Sequence, residues 1–156
     1  PIHWIKRGDE AAQTQNDVLY CANEAELEAA KAVFQSRNIT NMVVQAHVEG
    51  DLVKFYGVEG TAFFRYFYPT DDGATKFGDE HRNGIAHHYA FDNTALAATT
   101  NRLATLAETP VYGGDAIITA EGTFCIIDFN DWPSFSRCKD EAAKAIISCV
   151  AARQNL

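Results

Sequence analysis

The apolar and polar positions fall into short blocks with two different periods. His3-Trp4-Ile5-Lys6 is an extended run that gives way to a polar loop, Arg7 to Asn16. Asp17 to Cys21 reads as a second strand. Asn23 then stands three residues before Glu26, the spacing of a capping box, and Leu27, Ala30 and Phe34 follow on one helical face. This helix is predicted to end near Arg37-Asn38. Met42 to Val48, Asp51 to Val58 and Thr61 to Tyr68 are rich in Val, Phe and Tyr and read as a β-meander. Glu49-Gly50 and Glu59-Gly60 separate them as two-residue turns. Thr70 to Ala86 is a long polar loop containing Asp71-Asp72-Gly73. A helix follows from Asp92 or Asn93, with Leu96, Thr100, Leu103 and Ala107 on one face. A hairpin is predicted over Tyr112 to Thr119 and Thr123 to Phe129, turning at Glu121-Gly122. The last helix covers Lys139 to Ala152, with Ala142, Ala145, Ile146 and Cys149 inward and Asp140 and Glu141 at its positive end. The expected class is α+β, with antiparallel sheets and packed helices and no marked internal linker.

The last hairpin carries the clearest chemical signal. A two-residue turn at Glu121-Gly122 puts Asp115 directly opposite Asp128, and Asn130 points the same way two residues on. In this register Ile117 and Ile126 flank the acids on the same face. Carboxylates about 5 Å apart at an effective dielectric near 20 repel by roughly 3 kcal/mol. A divalent cation would relieve this, and an all-oxygen donor set suits Mg²⁺ or Mn²⁺. The alternative is that one acid faces water or caps a turn.

The meander gives the opposite sign. Two-residue turns align Gln45, Lys54 and Arg65 across three strands, with Lys54 opposite Arg65. An anion such as phosphate or carboxylate would hold two cations together. Otherwise both long side chains reach out to solvent. Lys6, at the end of an apolar strand before a loop with Gly8, is a further candidate phosphate contact or a plain exposed lysine. No Gly-rich phosphate loop accompanies it. His87-His88 and His81 are weak metal candidates: adjacent loop residues rarely share one ion, and no carboxylate partner is evident. Ser134 and Ser136 lack a nucleophile-elbow context.

Composition narrows the setting. The chain has 156 residues, of which 47% are hydrophobic, enough for a sizeable core. Lys and Arg number 13 against 21 Asp and Glu, a net charge of −8 with no basic block, which argues against nucleic acid as a partner. No apolar run approaches the roughly 20 residues of a membrane span. Cys21, Cys125, Cys138 and Cys149 form no C-x-x-C, and free thiols in a cytoplasmic protein are expected.

A metal site beside a phosphate site resembles the ATP-grasp superfamily, over nearly the whole chain. VYGGDAIITAEGTFCIIDFNDWPSF, Val111 to Phe135, looks like that family's closing hairpin, where Asp115, Asp128 and Asn130 match the metal-holding positions. The spacing is similar to that of the glutamate-ligase and inositol-polyphosphate-kinase branches. VVQAHVEGDLVKFYGV resembles the hinge strand and following hairpin, in which Gln45, Ala46, His47 and Val48 would meet adenine and Lys54 would enter the active cleft. IHWIK resembles the strand whose lysine, here Lys6, contacts the α- and β-phosphates. Arg65 falls where family members often carry a basic residue near the transferred phosphate. The resemblance implies a small nucleotide-lid subdomain over residues 1–48 and a large one over 49–156.

It further implies ATP and Mg²⁺ (or Mn²⁺) as cofactors, a small-molecule acceptor, and γ-phosphate transfer to a carboxylate that an amine then attacks. A small-molecule kinase and a non-catalytic nucleotide-binding module are the alternatives. Family members carry an N-terminal domain, whereas five residues precede Lys6 here and the chain starts at Pro1. The expectation is a C-terminal piece of a larger enzyme, inactive alone, whose uncovered apolar surface would favour homo-oligomers. Asp131-Trp132-Pro133-Ser134-Phe135 stands where many ligases have a Pro-Gly pair, leaving Ser134 as the acceptor contact.

Overall fold

A computed structural model of the chain describes residues 1–71 and 84–154. Among them are two antiparallel sheets and three α-helices, an α+β architecture. The described residues divide into two compact units, one of 1–49 with Gly84 and one of 50–71 with 85–154.

The first unit holds β1 (His3–Arg7), β2 (Val18–Cys21), α1 (Glu24–Ser36) and β3 (Met42–Ala46). Its sheet runs β2-β1-β3, and one face buries Ile5 and Cys21 against Leu27, Ala30 and Phe34 of α1. Asn23 caps α1 by accepting from the Glu26 N–H at 3.0 Å. The Glu26 carboxylate reaches back to the N–H of Ala22, one residue before the cap, at 2.9 Å. The polar loop between β1 and β2 closes on a buried acid. Asp17 accepts from the N–H groups of Gln13 and Thr14, and its other oxygen takes the Arg37 guanidinium at 2.5 Å.

The second unit holds β4 (Asp51–Val58), β5 (Phe64–Phe67), α2 (Asn93–Leu106), β6 (Val111–Ile118), β7 (Phe124–Asp131) and α3 (Lys139–Arg153). Its sheet order is β5-β4-β6-β7. The strands alternate, so the sheet has two apolar zones. Val53, Phe55, Tyr112, Ala116 and Ile118 pack with Leu96 and Ala104 of α2. Val58 and Phe63 pack with Cys138, Ala142, Ala145 and Cys149, and Tyr56 and Phe67 border them. The inward residues of α3 match the expected face. In α2 the buried line is Leu96, Thr100 and Ala104, while Ala107 is the C-cap.

The meander expectation fails at its first turn. β3 pairs with β1 and not with β4, so Gln45 lies opposite Trp4 in the other sheet, away from the Lys54 register. Nothing local specifies that choice, because β1 is forty residues upstream and competes through its own apolar face. The second turn is longer than two residues. The Thr61 hydroxyl donates to the Val58 carbonyl and accepts from the Phe63 N–H, stabilising a wider loop. The register therefore moves by two, to Lys54 opposite Phe67 and Tyr56 opposite Arg65. A two-residue shift preserves the face. Lys54 and Arg65 still share one side of the sheet, but they are not a like-charge pair across the ladder.

Buried Asp51, 2% exposed, accepts from the N–H groups of His87 and Tyr89 at 2.7 and 3.0 Å. It thereby fastens the segment leading into α2 onto the first residue of β4. No helix among the described residues is long and apolar enough to cross a membrane.

Candidate metal and phosphate site

Asp115 and Asp128 are directly opposite on β6 and β7. The route to this pairing differs from the two-residue turn. Thr119 donates to the Thr123 carbonyl, leaving Ala120, Glu121 and Gly122 as the loop, with Gly122 at φ +78. This is the three-residue hairpin in which glycine takes the left-handed position. Near the tip the register is one residue off the two-residue expectation, with Ile117 opposite Cys125 and Ala116 opposite Ile126. A bulge between Asp115 and Ala116 restores it, and Asp115 meets Asp128. The bulge also corrects the flanking residues. Ile117 shares the acids' face, but Ile126 lies on the α2 side with Ala116. Cys125, exposed, takes the place expected for Ile126.

Close backbone packing supports the pair from beneath. A methyl group on Gly114 would lie 2.1 Å from the Asp128 carbonyl oxygen and 2.7 Å from the Phe55 ring. On Gly113 it would lie 2.7 Å from the Pro133 ring. The two glycines let β7 and the loop after it lie flat against β6 beside the acids.

Lys54, which the spacing aligned with Gln45 and Arg65, is instead a ladder neighbour of the acids. It stands opposite Asp115 on β4, with its Nζ 3.2 and 3.4 Å from the two carboxylate oxygens. Lys54 and Asp115 are each about a quarter exposed, at 22% and 24%. On the far side, the Asn130 amide donates to Asp128 Oδ2 at 3.0 Å. Lys54, Asp115, Asp128 and Asn130 thus form a row across three strands, on one face and within one unit. Tyr56 borders the row, and burial pushes its hydroxyl pKa up.

Arg65 lies on the same face but is engaged elsewhere. It is ion-paired with Glu141 of α3 and lies over the Phe63 ring. Ser134 is exposed in the loop after β7, and Phe135 beside it packs against Tyr56 and Phe63. Trp132 in the same loop is 67% exposed and holds φ +42, an uncommon conformation for a bulky residue.

Lys6, Gln45, Ala46, His47 and Val48 belong to the first unit. Lys6, Trp4 and Gln45 share the sheet face opposite α1, with Tyr20 and Val43. Ala46 ends β3 opposite His3. His47 accepts the Trp4 indole N–H on Nδ1 at 3.0 Å, so that nitrogen carries no proton. Val48 is half-buried. For the loop histidines, carboxylate partners do exist: His87 Nδ1 is 3.4 Å from Asp51 and His88 Nε2 is 3.2 Å from Asp71. His81 lies outside the described residues.

Among the described residues no three of His, Cys, Asp and Glu gather as a metal-binding group. The row instead supplies two carboxylates and an amide. That donor set fits a Mg²⁺ ion, which keeps waters or phosphate oxygens for its other positions. Compared with protein-family models and with curated proteins, the chain matches none.

Proposed function

We propose that the chain is the ATP- and Mg²⁺-binding part of an ATP-grasp enzyme, a carboxylate–amine ligase working through an acylphosphate. The observation that carries this reading is Asp115 facing Asp128 with Asn130 bonded to Asp128, beside a lysine, on one sheet face. Asp115, Asp128 and Asn130 would hold the metal. Bound there, Mg²⁺ would neutralise charge developing on the phosphates. Lys54 and Arg65 would contact the phosphate that is transferred. Lys6 would contact the inner phosphates, and Gln45 to Val48 would offer backbone groups to adenine. Ser134 would touch the acceptor. Positioning and electrostatics would supply the catalysis, with no side-chain nucleophile required.

The test is calorimetric titration of ADP with Mg²⁺ into the wild-type chain and Asp128→Ala. Metal-dependent binding that vanishes in the variant supports the reading. Binding that Asp128→Ala leaves intact sinks the site assignment. In a longer parent protein, hydroxylamine trapping of an acylphosphate supports the ligase, and a stable phosphoester indicates a kinase of the same fold.

A further inference from the structure

The row contains its own cation, and this bears on how a metal would enter. The Lys54 ammonium lies within hydrogen-bond distance of both Asp115 oxygens, and Asp128 stands on the other side of Asp115. The like-charge pair is therefore already partly neutralised by a side chain of the neighbouring strand. A divalent cation arriving alone would meet Asp115 with the ammonium beside it. It would also find no third acid, histidine or cysteine among the described residues to complete its shell.

Resting on the reading above, we propose that Lys54 is a resident counter-ion that excludes a bare divalent cation, so that metal is taken up only together with phosphates. Phosphates would give the Lys54 ammonium a new anionic partner, leaving Asp115 and Asp128 to hold the metal. Such an exchange makes metal and nucleotide binding mutually dependent, each raising the affinity for the other by the same factor.

The experiment is titration of Mn²⁺, followed by electron paramagnetic resonance, into the wild-type chain, Lys54→Met and Lys54→Arg. Without nucleotide, Lys54→Met should bind Mn²⁺ more tightly by on the order of tenfold, and Lys54→Arg should bind like wild type. Unchanged or weaker binding in Lys54→Met overturns the proposal. Circular dichroism checks each fold, and Lys54→Gln replaces the methionine variant if that one does not fold. A second titration adds ADP to the wild type. Nucleotide that binds without tightening Mn²⁺ overturns the exchange, whereas an absence of any nucleotide binding overturns the ATP-grasp reading. The nucleotide-free comparison still decides the counter-ion role in that case.

Discussion

Arg65 on the edge strand β5 is ion-paired with Glu141 in the first turn of α3. Both side chains are about half exposed, at 47% and 53%. A phosphate at this face would compete with Glu141 for the guanidinium. Glu141→Gln should therefore strengthen binding of the Mg²⁺–ADP complex a few-fold in calorimetry. Its effect on stability should stay below about 1 kcal/mol, since exposed pairs contribute little. Unaltered affinity in this variant would remove Arg65 from the phosphate site.

Gly114 lies beneath the acid pair where a side chain has no room. Gly114→Ala must push β7 away from β6 or displace the Phe55 ring. Overpacking of this kind costs about 1–3 kcal/mol. The thermal midpoint should fall, and metal-dependent nucleotide binding should weaken with it. An unshifted midpoint would contradict the close approach of the two strands.

Asp17 gives the first unit a pH dependence. Burial alone would raise its pKa, but the Arg37 guanidinium and the N–H groups of Gln13 and Thr14 outweigh this and hold it well below the usual carboxylate range. A depressed folded-state pKa contributes stability above the unfolded value, near 3.9, and loses it as the pH falls below that. Urea unfolding followed through Trp4 should show Asp17→Asn less stable at pH 7, by on the order of 3 kcal/mol. The gap between variant and wild type should narrow towards pH 3. A constant gap would mean that the Asp17 charge does not matter.

The cysteines differ in access. Cys125 is exposed, whereas Cys21, Cys138 and Cys149 are buried, and burial pushes the thiols of Cys21 and Cys138 up in pKa. A thiol reagent at pH 8 should modify one cysteine rapidly in the folded chain and all four after denaturation. Cys125→Ser should abolish the rapid phase. A second fast thiol would contradict the burial of Cys21, Cys138 or Cys149.

Much of the local structure was legible because its causes are local. Asn23 and Glu26 mark the start of α1 within three residues, and the α3 face follows from Ala142, Ala145 and Cys149 at helical spacing. The facing acids at 115 and 128 matched the expectation because two departures cancel: the three-residue loop shifts the register by one, and the bulge shifts it back. What escaped depends on distance or on loop chemistry. The choice of β1 over β4 as partner for β3 is a competition between remote strands. The Thr61 hydroxyl widened a loop that Glu59-Gly60 alone would have closed in two residues. Lys54 met Asp115 through a ladder between strands more than fifty residues apart, which no local spacing reveals.

The bulge in β7 separates two properties that a regular hairpin would fuse. Ladder partners on either side of it, Ala116 with Ile126 and Asp115 with Asp128, differ by one residue of offset. Excising the extra residue at the offset would leave those partnerships compatible in one regular register. Curvature and charge are therefore independent variables in this hairpin. A one-residue deletion at the offset would straighten β7 and still leave Asp115 facing Asp128.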